Sequence, residues 1–113
     1  MSLNHKNPTL TDSWKKLKQH FNQISKQKIE DHFQINQNRG KEFSSNCNEI
    51  LFDYSKNKIN KETINLFNDL LTEINFSDSV KKYFNGNNIN ETESRSVLHT
   101  ALRAKGTEEI FVD

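Results

Sequence analysis

The sequence predicts a mainly α-helical chain carrying one small β-hairpin, an α+β arrangement, and three observations predict it. Ile64, Phe67, Leu70, Leu71 and Ile74 form a continuous apolar stripe at helical spacing behind Asn60, a good N-cap. Leu10, Trp14, Leu17, Phe21 and Ile24 form a second seam, with steps of 4, 3, 4 and 3 residues. Between them, from Phe43 onward, helical periodicity gives way to two short β-prone runs.

The first helix is expected over residues 9–26, opened by Thr9 or Thr11 after Pro8. Its other faces carry Lys15, Lys16, Lys18 and Lys26, a row that suits membrane headgroups or a nucleic-acid backbone. A solvated face opposite a core-facing seam is the preferred reading, since lysines are mostly exposed. Ile29 and Phe33 mark a shorter helix over 28–37, ended by the Asn36 to Gly40 run, where Gly40 suits a left-handed exit flanked by Arg39 and Lys41. A hairpin is expected over 43–55, turning at Cys47-Asn48-Glu49, with Ile50, Phe52 and Tyr54 facing one way and Leu51 and Asp53 the other.

The third helix spans 61–74, with Glu62 in its first turn. Ser77 is expected to cap a helix over 78–85, in which Val80, Tyr83 and Phe84 are apolar and after which Gly86 supplies the left-handed exit. Thr92 then reads as the cap of a helix over 93–103. There Val97, Leu98, Ala101 and Leu102 recur at helical spacing, and Arg95, His99 and Arg103 step four residues apart along one face. Ile110, Phe111 and Val112 read as the start of a buried strand, and a strand start with nothing behind it is expected of a segment of something longer.

Composition narrows the function. The 113 residues carry a net charge of +1 and are only 32% hydrophobic, with a mean hydropathy of −0.92. Globular domains are usually about 45–50% apolar, so this chain is short of core and is expected to pack its apolar faces on a larger body. Near-neutral charge argues against a nucleic-acid-binding surface spanning the chain. The N-terminus lacks the apolar core of a signal peptide, no run of apolar residues is long enough to span a bilayer, and a cytoplasmic location is expected.

Signals for chemistry are sparse. Histidines 5, 20, 32 and 99 have no ligand-like spacing, so no metal site is expected. The single cysteine, Cys47, has no partner for an intramolecular disulfide and is expected to be a partly buried, inert thiol. No glycine-rich phosphate cradle occurs, and two glycosylation sequons, at Asn75 and Asn90, mean little without a secretory signal. The Arg95, His99 and Arg103 row is the candidate functional surface. Arginine pairs bidentately with phosphate or carboxylate, so on one reading the row lies near a phosphate site or a subunit contact; on the other, which is preferred, it fixes its helix to the rest of a larger protein.

Two ordered blocks carry a family resemblance. Asn85-Gly86, Ile89-Asn90, Thr92-Glu93, Arg95 and the run Val97-Leu98-His99-Thr100-Ala101-Leu102-Arg103 resemble the N-terminal region of the glucose-6-phosphate isomerase (phosphoglucose isomerase) family. Upstream, Phe52-Asp53-Tyr54-Ser55-Lys56-Asn57 is similar to the same family, in the same order. The resemblance runs from about Trp14 to the last residue. Ser94 stands where the family commonly has Gly or Asn, and Asn87-Asn88 replaces a charged pair.

The resemblance implies a cytoplasmic homodimer without metal or organic cofactor that interconverts glucose 6-phosphate and fructose 6-phosphate in glycolysis and gluconeogenesis. It implies proton transfer through an enediolate by a glutamate base, with histidine, lysine and arginine assisting, and Ser/Thr-rich loops of two sugar-isomerase domains holding the phosphate. The motifs carrying those groups lie downstream of these 113 residues. No catalytic or substrate-binding residue is therefore expected here, and the chain reads as the structural N-terminal segment of an α/β enzyme, inactive alone. The alternative is a stand-alone, non-enzymatic helical module that binds a partner through the Leu10 to Ile24 seam or the Arg95 row.

Overall fold

Thr11 opens the first long helix. Its backbone is extended, and its side chain accepts a hydrogen bond from the amide of Trp14, satisfying one of the free N–H groups of helix α1 (Asp12–Ile24). Pro8–Leu10 precedes it as a 3-10 turn capped by Asn7. A computed structural model describes residue 3 and residues 5–111. Helix α2 (Ile29–Ile35) follows, its start held by Asp31, whose carboxylate accepts from the Lys28 amide at 3.0 Å.

The chain leaves α2 at Asn36, and immediately forms one helical turn, α3 (Arg39–Glu42). This corrects the expected exit at Gly40, which lies inside α3 and has no positive φ. Asn36 explains the restart. Its side-chain oxygen accepts from the Asn38 amide and its backbone carbonyl from the Arg39 amide, so the turn closes without a left-handed residue.

Strands β1 (Ser44–Cys47) and β2 (Ile50–Asp53) pair antiparallel, with Cys47 opposite Ile50 and Ser44 opposite Asp53. The turn is the two-residue Asn48-Glu49, with Asn48 at φ +53°, and Cys47 ends β1 rather than lying in the loop. The expected partial burial of Cys47 does not occur, since the residue is exposed. Ile50, Leu51 and Phe52 are all exposed as well, so the period-2 pattern buries neither face of the hairpin among the described residues.

Helix α4 (Lys61–Glu73) begins as expected, with the Asn60 side chain accepting from the Thr63 amide and the Thr63 hydroxyl accepting from the Asn60 amide. It runs antiparallel beside α1. Glu73, at its C-terminal end, accepts from the amides of Asp12 and Ser13 at the start of α1, while Thr63, at its N-terminal end, meets His20 in α1.

Asn75, at φ +56°, joins α4 to helix α5 (Phe76–Phe84), which starts before the expected Ser77 cap because asparagine tolerates the left-handed conformation. Gly86 takes φ +73° after α5, as the sequence led one to expect. An added β-carbon there would lie 2.3 Å from the Phe111 carbonyl oxygen, so the glycine also admits the distal backbone.

No helix forms over 93–103. Asn90 and Arg95 exchange both backbone hydrogen bonds, at 3.0 and 3.1 Å, closing a tight turn. The Asn90 side-chain oxygen accepts from the Thr92 hydroxyl and the Glu93 amide, and Ser94 sits at φ +52°. These local bonds outcompete helical propensity, since a helix needs residues 93–95 right-handed. Only Ala101–Arg103 closes a 3-10 turn. Ile110 and Phe111 form no strand, and Val112 lies outside the described residues.

The whole is a plate, 51 × 38 × 18 Å, with a radius of gyration of 18.6 Å. A compact chain of this length has a radius near 13 Å. Ile24 and Phe43 are the fully buried apolar residues among those described, whereas Thr11, Ser13, His20, His32, Arg39, Ser55 and Thr63 are buried polar ones.

Candidate functional site

The buried polar groups form two clamps rather than a reaction centre. Arg39, only 2% exposed, donates from Nε to the Ser55 carbonyl at 2.7 Å and from Nη2 to the Asn57 and Ile59 carbonyls at 2.8 and 2.9 Å. Its guanidinium lies over the Phe43 ring at 4.4 Å and near that of Phe33 at 5.7 Å. Burial lowers its pKa. The planar fork thus gathers three carbonyls of one irregular loop, a task the point charge of lysine does not match. Asp53 braces the same loop by accepting from the Ser55 amide at 2.9 Å, and hydrogen bonding by Ser55 keeps its carboxyl below the usual range. His32 is buried nearby, its pKa lowered by burial and then by Arg39, and its Nε2 has no hydrogen-bond partner among the described residues.

Glu73 builds the second clamp. Its carboxylate accepts from the Ser13 amide at 3.0 Å, the Asp12 amide at 3.3 Å and Lys6 Nζ at 3.4 Å. Hydrogen bonding by Ser13 foremost brings its pKa down to about 2. At the other end of the helix pair, His20 Nε2 and the Thr63 hydroxyl lie 2.7 Å apart, and Glu62 approaches His20 Nδ1 at 3.6 Å.

The structure does not assemble Arg95, His99 and Arg103 on a helix face, because the helix that would align them is absent. Arg95 lies in the tight turn and pairs with Glu93, Nε to Oε2 at 2.7 Å. His99 is exposed in the segment between the turns. Arg103 borders an open groove of about 810 Å³ that Tyr83, Phe84, Ala101 and Phe111 help to line. Near it are Glu108 and Glu109, but no nucleophile and base are brought within hydrogen-bond reach there by any contact among the described residues. No group of three or more His, Cys, Asp or Glu able to hold a metal occurs among the described residues.

Sequence reasoning placed Arg39 beside a helix exit and gave Glu73 and His20 no role. The signal was faint: a lone arginine before a loop, a glutamate at a helix end and a histidine within an apolar seam acquire partners only at separations of 16 to 61 residues. No helix of the described residues is long and apolar enough to cross a membrane.

The loop that Arg39 holds overlaps the upstream of the two motif blocks, Phe52 to Asn57, and the match to a family model begins within that block. The family model described as phosphoglucose isomerase matches residues 53–113. The chain is 49% identical over 108 residues to glucose-6-phosphate isomerase of Blochmanniella floridana and 45% identical over 108 residues to that of Wigglesworthia glossinidia brevipalpis. To the enzyme of Christiangramia forsetii it is 40% identical over 106 residues. These alignments take in 94–95% of this chain but 19–20% of each relative, so the chain spans about a fifth of their length. With more than half of its residues under the family model, the chain belongs to the phosphoglucose isomerase family.

Proposed function

We propose that the chain is the structural N-terminal segment of a cytoplasmic, homodimeric glucose-6-phosphate isomerase, which reversibly converts glucose 6-phosphate to fructose 6-phosphate through an enediolate. The observation that carries this reading is the 40–49% identity to enzymes of that name along almost the whole chain. The clamps support a structural role: Arg39 is spent on backbone carbonyls and Glu73 on helix amides, leaving neither for a substrate. The catalytic acid, base and phosphate-binding loops belong to the four-fifths of the relatives' length that lies outside the aligned region. The segment's own contribution is to hold the motif blocks in shape.

The test is to isolate, from cells that make it, the native protein containing this segment, then measure its mass and its turnover of glucose 6-phosphate in a coupled assay. A mass several times 13.3 kDa with turnover is expected. The purified 113-residue chain should show none. A native product of 13.3 kDa without turnover overturns the proposal and leaves the stand-alone interaction module in its place.

A further inference from the structure

His32, on α2, is only 6% exposed, and its buried Nε2 has no hydrogen-bond partner among the described residues. Buried polar atoms are seldom left so. The charged groups that act on the ring are Arg39 on α3, Lys58 on the loop after β2, and Asp31 on its own helix. Each already has other work. Asp31 accepts from the Lys28 amide, Lys58 donates to the Ser25 carbonyl, and Arg39 donates to the Ser55, Asn57 and Ile59 carbonyls. Whichever nitrogen carries the proton of the neutral ring, the charged ring has an N–H at both. Protonation therefore creates an N–H at Nε2 with no acceptor and a second buried cation near the Arg39 guanidinium, both of which destabilise the cluster.

We infer that His32 is an acid-operated release for the loop over residues 54–60: when the ring takes a proton from solvent, the new charge opposes Arg39, weakens its hold on the three carbonyls and frees the Ser55-Lys56-Asn57 motif. The device goes beyond the functional reading above and does not depend on it, because its parts all lie in α2, α3 and this loop. The electrostatics agree with the geometry. Burial first, then Arg39, with a further push from Lys58, lower the pKa of His32 from the ordinary 6.5 against the opposing charge of Asp31. A histidine lowered in this way contributes stability that is complete above 6.5 and is lost as pH falls below it. The carboxylates of the two clamps do not share that window. Asp53 titrates below its ordinary 3.8, and Glu73 at about 2.

Backbone hydrogen exchange of the native protein containing this segment, read by mass spectrometry at about pH 7.5 and about pH 5, tests the release when rates are divided by the intrinsic rate at each pH. Protection of residues 54–60 is expected to fall by about three-fold or more at the lower pH. Unchanged protection overturns the proposal. His32→Leu and His32→Gln cannot take up the proton, so in either variant the loop should be equally protected at both pH values. A fall as large as in wild type would assign the effect to another group and overturn the proposal. Wild type also supplies a test that needs no variant. Deuterium exchange at Cε1 of the His32 ring follows its titration, and its midpoint must coincide with the loss of loop protection. Two separate midpoints overturn the proposal.

Discussion

Residues 5–74 and residues 85–111 are organised by different forces. In the first region, long-range polar clamps tie helices and a loop together: Arg39 to three carbonyls, Glu73 to the start of α1, His20 to Thr63. In the second, the hydrogen bonds are mostly short-range, as in the Asn90–Arg95 turn, and the His5–Glu91 contact at 2.7 Å ties that turn to the N-terminal arm. Buried apolar residues are few, Ile24 and Phe43, both in the first region, and the longer of the two family-like blocks lies in the weakly anchored second. A motif-rich stretch held by its own turns has its shape specified locally, while the clamped region needs its distant partners in place.

The largest expected effect breaks the clamped region. Arg39→Met keeps apolar bulk but leaves the Ser55, Asn57 and Ile59 carbonyls without their donor, at a cost of about 3–5 kcal/mol. Hydrogen exchange of the full-length protein should show faster opening of residues 54–60, with residues 85–95 unchanged. Equal acceleration in both regions would erase the contrast between them.

Gly86→Ala strikes the second region. Positive φ and a β-carbon 2.3 Å from the Phe111 carbonyl oxygen set the cost at about 2 kcal/mol or more. Limited proteolysis should then cut near residue 105 first. Cleavage that begins instead in the Ser55 to Asn60 loop would mean that the glycine supports the clamped region too.

Glu73 gives the contrast a pH signature. Its carboxyl titrates near 2 in the fold, below the ordinary 4.5, so the ionised clamp stabilises the fold fully above the ordinary value. That contribution fades as pH falls through the interval from 4.5 to about 2. Melting temperatures of wild type and Glu73→Gln should therefore differ at pH 6 and converge as pH approaches about 2. Parallel curves across that range would show that the carboxylate does not hold α1.

The smallest effect sharpens the local side. Ser94 occupies φ +52°, and Ser94→Gly should stabilise the Asn90–Arg95 turn by about 0.5–1 kcal/mol. Slower exchange at the Arg95 amide is the readout, with no change at Ile59. Destabilisation by glycine would mean that the turn's φ is not a source of strain.

Much of the local structure was legible in the residues. Thr11 and Asn60 capped their helices, Gly86 took the left-handed exit, and β-prone runs around Asn48-Glu49 made the hairpin, because caps and turns are settled by neighbours within a few positions. The helix over 93–103 failed on the same kind of physics: apolar periodicity was read correctly, but Asn90 offered side-chain bonds that a helix does not. With it went the shared face of Arg95, His99 and Arg103. The clamps were not legible, since Arg39, Glu73 and His20 look like ordinary polar residues until the fold brings their partners near.

By itself the sequence determined the family, the major helices and hairpin, and the shortage of apolar residues that keeps this chain from closing a core. Only the tertiary structure decided which polar groups went inside and which aromatic residues stayed out. Caps and periodicity act over a few residues of backbone, whereas burial depends on what the antiparallel pairing of α1 and α4 places opposite each side chain.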